Sequence, residues 1–153
     1  MSDLTVAAVC IRARDTGGVN LAFQMPLYPM LDDRDTESSR DNYGRVWNTR
    51  KNHFAWRCYL RGQDRTNLSP DAAPARLTDF SRLPPADSFV GKGEPFYAET
   101  VRYIERLRAC GVPAEVDVYP SDMHAFDILR PEGRFHERFA YAQAHFFAPQ
   151  KDR

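Results

Sequence analysis

Nothing in this sequence approaches the run of about 18 apolar residues that a membrane span requires. Its first residues, Met1, Ser2 and Asp3, lack the basic stretch of an export signal. A cytoplasmic, non-exported protein is expected. Charge of one sign is also missing: 21 Lys and Arg balance 21 Asp and Glu, so there is no general attraction to nucleic acid or acidic lipid. Cysteine is scarce. Cys10, Cys58 and Cys110 are odd in number, far apart and without CxxC spacing, and are expected to be buried free thiols. No HExxH or other metal-ligand cluster occurs, and Gly17-Gly18 forms neither GxGxxG nor a P-loop, so no metal, nucleotide or other cofactor is expected. Internal repeats and low-complexity tracts are absent as well. What remains is a chain of 153 residues, 42% of them hydrophobic, the size of one globular domain.

Asp3 can cap a helix, and Leu4, Ala7, Ala8 and Ile11 recur at helical spacing until Gly17-Gly18, which predicts a helix over 4–15. Leu21 to Leu27 is apolar on both faces apart from Gln24, as in a strand covered on two sides, and Pro29 closes it. Residues 31–45 are rich in Asp, Arg and Ser without periodicity and read as a solvated loop. Trp47, Phe54, Trp56 and Tyr59 fall on a helical pattern from Trp47 to Leu60, ended by Gly62. Residues 63–85, with four prolines, read as irregular.

The last third reads as strand, helix, strand, helix. Ser88 to Gly91 is a short strand. Pro95 stands where a first helical residue would, Tyr97, Val101, Ile104 and Leu107 mark an apolar face, and Gly111-Val112-Pro113 stops the helix. Ala114 to Tyr119 alternates Val116 and Val118 with Glu115 and Asp117. Phe135, Phe139, Ala142 and Phe146 stripe a final helix. Strands separated by helices imply parallel βαβ units, hence an α/β, three-layer architecture.

In such sheets the working groups collect past the carboxyl ends of the strands. Lys92-Gly93-Glu94-Pro95-Phe96 follows the first of these strands, and Pro120-Ser121-Asp122-Met123-His124-Ala125-Phe126 follows the second. Taken alone, Glu94 is accounted for as a carboxylate favoured by a helix dipole, and His124 as an ordinary loop histidine. Jointly they place a carboxylate beside an imidazole, because adjacent parallel strands would present the two loops side by side. A contact of about 2.6–3.2 Å is expected if they pair. His53, His136 and His145 sit inside predicted helices and are assigned surface or packing roles.

These residues resemble the C-terminal half of an α/β-hydrolase-fold carboxylesterase of the hormone-sensitive-lipase-like branch. Glu94-Pro95-Phe96 is similar to that family's Asp-Pro-Leu/Phe acid motif, and His124-Ala125-Phe126 to its His-Gly-Phe motif. Tyr28-Pro29-Met30-Leu31-Asp32-Asp33-Arg34, Val46-Trp47-Asn48, Phe54-Ala55-Trp56-Arg57 and Leu68-Ser69-Pro70 resemble further family segments, in the family's order. Glu stands for the usual Asp, Ala for Gly after the histidine, and Lys92 where an acid is common. The resemblance implies a partial α/β-hydrolase fold over 1–153, with a short parallel sheet of about three strands and flanking helices. It assigns Glu94 and His124 as two members of a catalytic triad.

The third member is missing. In the family the helix similar to residues 4–15 follows the G-x-S-x-G nucleophile elbow, and neither that motif nor the upstream HGGG-type oxyanion loop occurs here. Ser2 lacks the strained strand-to-helix turn that presents a nucleophile. Ser38, Ser39, Ser69, Ser81, Ser88 and Ser121 have no elbow context either, although Ser121 is near His124. The family-level expectation is therefore an ester hydrolase truncated to its acid and histidine, acting on a small-molecule ester only when an N-terminal half completes it. The alternatives are one half of a split hydrolase and a non-catalytic binding or assembly module. The strand at 21–27 would have an open edge where the nucleophile strand pairs, so a homo-oligomer or a complex through that edge is expected.

Overall fold

The computed structural model describes residues 3–129. The final helix predicted around Phe135 to Phe146, and Ser2, His136 and His145, lie outside them. Helix α1 (Asp3–Thr16) buries Ala7, Cys10 and Ile11 at i, i+3 and i+4. It ends at Gly17, whose φ of 65° is the left-handed cap conformation that glycine adopts without a Cβ penalty. No helix among the described residues is long and apolar enough to cross a membrane.

Two parallel strands, β1 (Ala86–Gly91) and β2 (Ala114–Tyr119), make the sheet among the described residues, rather than about three. The run from Leu21 to Leu27 lies beside β1 but pairs with it only at an isolated bridge between Gln24 and Ala86. Gln24 N–H donates to the Pro85 carbonyl at 2.8 Å and Tyr28 N–H to that of Phe89 at 3.0 Å. In an extended chain the donors facing one neighbour come from alternate residues. The donor between these two would belong to residue 26, a proline, which has none. The Pro26 carbonyl is instead taken by Ser88 Oγ, and Tyr28 leaves the extended region with φ 37°.

β1 is buried along its whole length, whereas β2 is only partly covered and Val118 is 45% exposed. Helix α3 (Tyr97–Ala109) packs on both strands through Tyr103, Ile104 and Leu107, and shares a core with Ile11, Leu31 and Phe80. Its buried face is rotated from the expected one, leaving Tyr97 and Val101 only partly covered. Pro95 lies in the turn before it, and Phe96 is the N-cap.

Helix α2 (Thr49–Tyr59) begins later than expected, because the Asn48 side chain accepts the Lys51 N–H at 3.0 Å and starts the helix there. It buries Ala55 and Trp56 against Met30, Leu60, Leu68 and Phe96, while Phe54 stays exposed. One 3-10 turn covers Arg65–Asn67 and another Pro74–Arg76; a single helical turn, α4 (Phe126–Leu129), follows β2. Cys10 is buried, and burial pushes its thiol up to about 11. Cys58 and Cys110 are exposed, contrary to expectation, since they sit on the outer side of α2 and at the end of α3.

Nor is the 31–45 segment a solvated loop. Leu31, Thr36 and Ser39 are buried, and Ser38 Oγ donates to the Pro95 carbonyl at 2.8 Å while accepting the Ala98 N–H at 3.0 Å. Asp33 holds the start of this segment: its side chain, 3% exposed, accepts two bonds from Arg76 at 2.8 and 2.9 Å. Burial pushes the Asp33 carboxyl up, but Arg76 and Arg65 more than offset this, and the net shift is downward. A carboxyl shifted down on folding adds stability that is present above its unfolded pKa and lost as pH falls through the folded one. Arg76→Ala is therefore expected to cost about 2 kcal/mol at pH 7. That cost should shrink as pH falls through the lowered Asp33 pKa and its carboxylate takes up a proton. Urea denaturation at pH 7 and pH 2.5 checks this, and an undiminished difference in acid would assign the cost to something other than the ion pair.

Candidate active site

The register pairs Gly91 with Tyr119, so β1 and β2 end level and their following loops leave side by side. The loops are joined by backbone: Lys92 N–H donates to the Tyr119 carbonyl at 2.8 Å, and Gly93 N–H to that of Ser121 at 2.9 Å. A Cβ on Gly91 would lie 2.6 Å from the Ser121 carbonyl oxygen, and one on Gly93 would lie 2.8 Å from Asp122 Cβ. Close approach of the two chains thus requires both glycines.

This junction fixes Glu94, which is fully buried. Its Oε1 accepts the Gly91 N–H at 2.7 Å, and its Oε2 lies 2.7 Å from His124 Nδ1. A carboxylate at Nδ1 holds the ring proton there and leaves Nε2 as the acceptor. The His124 side chain is 17% exposed. Tyr28 meets its ring edge-on with centroids 4.6 Å apart, Phe96 lies at 5.1 Å and Trp47 at 5.7 Å. Ala125, next in the chain, has φ 59°. A carboxylate-bound imidazole with one free nitrogen can take a proton from a nucleophile and return it to a leaving group.

The structure thus brings Glu94 and His124 together, as their placement after neighbouring strands predicts. It brings no serine to them among the described residues. Ser38 is bound at α3, Ser39 Oγ accepts the Thr36 N–H at 2.8 Å, and Ser69 Oγ accepts that of Asp71 at 3.2 Å. Ser88 is bound to Pro26, Ser81 donates its N–H to Asp79, and Ser121 Oγ accepts the Met123 N–H at 3.2 Å. His53 pairs with Asp35 at 2.7 Å on the surface. The aromatic surround of His124 escaped the sequence reading. Trp47, which the spacing predicts inside the helix from Trp47 to Leu60, instead precedes α2 and packs on the histidine.

Three comparisons bear on this geometry. A model of the alpha/beta hydrolase fold family matches residues 5–128. Esterase LipI of Mycobacterium tuberculosis is 34% identical over 125 residues, covering 80% of this chain and 39% of the relative. The crystal structure of esterase LipW from Mycobacterium marinum superposes with a TM-score of 0.84 at 31% identity, over 94% of this chain and 46% of that one. A bacterial heroin esterase does so with a TM-score of 0.80 at 29% identity, over 92% of this chain and 46% of its own. The chain spans less than half the length of each.

Proposed function

The chain belongs to the alpha/beta hydrolase fold family, and on that footing we propose that it is the acid-and-histidine part of a serine carboxylester hydrolase. In this reading Glu94 orients His124, and the serine and oxyanion-hole donors come from a complementary N-terminal half. The observation that carries it is the 2.7 Å contact of buried Glu94 with His124 at the ends of two adjacent parallel strands.

The chemistry follows from the free Nε2. The serine hydroxyl gives its proton to Nε2 as its oxygen adds to the ester carbonyl, and backbone N–H groups of the other half hold the resulting oxyanion. The imidazolium, stabilised by Glu94, then protonates the departing alcohol and leaves an acyl-serine. Water attacks that ester with the same base, and acid and serine are released. The complementary half would seat on the side of residues 21–27 facing away from β1; Val9 and Val19, on and after α1, are also exposed. A second copy of the chain using that side is the other form this association could take.

The chain alone is expected to hydrolyse short-chain nitrophenyl esters no faster than buffer. Joined to an N-terminal half that carries G-x-S-x-G, it should turn over at roughly 1–10³ per second. Activity of the lone chain abolished by His124→Ala would place the nucleophile within these residues and overturn the proposal. So would a completed, folded domain that remains inert.

A further inference from the structure

The side of α2 away from the core carries two arginines, Arg50 and Arg57, that no described residue pairs, beside His53, which Asp35 binds at 2.7 Å. Arg50, His53 and Arg57, at i, i+3 and i+7, share one face of this helix, opposite buried Ala55 and Trp56. With Arg40 and Tyr43 they line a cleft of about 530 Å³, to which Asp41 contributes the one carboxylate. Among the described residues, the side chains of Arg40, Arg50 and Arg57 make no ion pair and no hydrogen bond.

The contrast with a second arginine-lined cavity is informative. There Arg34 is bound to Asp32, Arg102 to Glu37, and Arg106 to the Ala75 carbonyl, so each guanidinium is already satisfied. In the cleft on α2 Arg50 and Arg57 have no such partner among the described residues, and Arg40 is only attracted at a distance by Glu37, which Arg102 already binds. The helix also bears Arg50 and Lys51 in its first turn and no acid there, an arrangement that opposes the helix dipole and that a bound anion would reverse. The wall between the cleft and the strand-end loops is fixed. Asn42 Nδ2 donates to the Gly93 carbonyl at 3.0 Å, and Thr49 Oγ1 to that of Ser39 at 2.6 Å.

We propose that this cleft binds a small organic anion carrying two or more negative charges, as phosphate or carboxylate, held by Arg40, Arg50 and Arg57. Guanidinium forks match both groups, and the cleft is large enough to admit a metabolite-sized ligand. Tyr43, 88% exposed, offers its ring to the apolar part of the ligand. Neither Glu94 nor His124 lines the cleft, so loss of anion binding and loss of ester hydrolysis can be told apart by variants of different residues.

Calorimetric titration of the 153-residue chain with pyrophosphate, inorganic phosphate and malonate, in about 0.15 M NaCl where long-range attraction is screened, tests the proposal. Saturable one-to-one binding of at least one probe is expected, and the preference between phosphate and malonate identifies the anionic group. Arg50→Gln with Arg57→Gln should weaken it about tenfold or more. Arg40→Gln, on the loop rather than the helix, should weaken it too, so a helix that misfolds does not decide the outcome. Arg12→Gln, far along the chain in an exposed pair with Asp71, should change nothing. No saturable binding of any probe, or an equal loss with Arg12→Gln, would overturn it.

Discussion

In the enzyme completed by a nucleophile-bearing half, His124→Ala is expected to lower kcat on the order of 10⁴-fold or more, with little change in stability. Among the described residues, the His124 imidazole, 2.7 Å from Glu94, is the group to which the proposed mechanism gives the proton transfer. Glu94→Gln should approach the same loss for a different reason. Its amide oxygen can still accept the Gly91 N–H that Glu94 Oε1 accepts at 2.7 Å, which turns the NH₂ toward His124 Nδ1. Nδ1 must then accept, the ring proton moves to Nε2, and the atom that should take the serine proton is already occupied. Steady-state rates on a nitrophenyl ester, with circular dichroism to confirm folding, measure both. A fall of less than tenfold for His124→Ala would remove the residue from the chemistry.

Gly91→Ala is the second large effect, and it alters no charge. The added Cβ would meet the Ser121 carbonyl oxygen at 2.6 Å, Glu94 Oε1 at 3.0 Å and Glu94 Cγ at 3.1 Å. The nearest of these is backbone, so relief must come from moving the β2 loop, and that loop carries His124. We expect a stability loss of about 1–3 kcal/mol from overpacking, and about a hundredfold loss of kcat in the completed enzyme from misplacing the base. Gly18→Ala is the control: the nearest atom to its Cβ is Thr16 Oγ1 at 3.8 Å, and both quantities should hold. Thermal melts and rates on the two variants decide, and a Gly91→Ala protein indistinguishable from the parent would mean the two loops are not held in contact.

Much of this was legible in the sequence. The helices now seen at Asp3–Thr16 and Tyr97–Ala109 announce themselves through apolar spacing and terminal glycines. Glu94 and His124 could be paired in advance because one helix and one strand separate them, which returns the chain to the same sheet edge in the same direction. What failed depends on facts that local pattern does not carry. Composition makes 21–27 look like a strand, but whether Pro26 costs a ladder bond depends on which neighbour its missing N–H would have faced. Thr36 and Ser39 are buried because they bond each other and their neighbours, a cancellation invisible in a list of polar residues. Trp47 and Tyr28 reach His124 across most of the chain, and no periodicity encodes that. The bare arginines of α2 were masked by a charge balance that is zero only when summed over the whole molecule.

Ala125 stands where the family motif has glycine, with φ 59°. Its left-handed backbone costs a residue with a side chain about 1–2 kcal/mol. Yet glycine would enter folding from a broader unfolded ensemble, and alanine recovers about 0.4–1 kcal/mol by narrowing it. The methyl group also packs against the cluster of Tyr28, Phe89 and Val90. The strain outweighs the gain, so Ala125→Gly is expected to leave stability unchanged or raise it by up to about 1 kcal/mol. What the strained turn at Ala125 holds is the direction of the preceding residue, and His124 keeps its 2.7 Å contact with Glu94 with alanine in place of glycine.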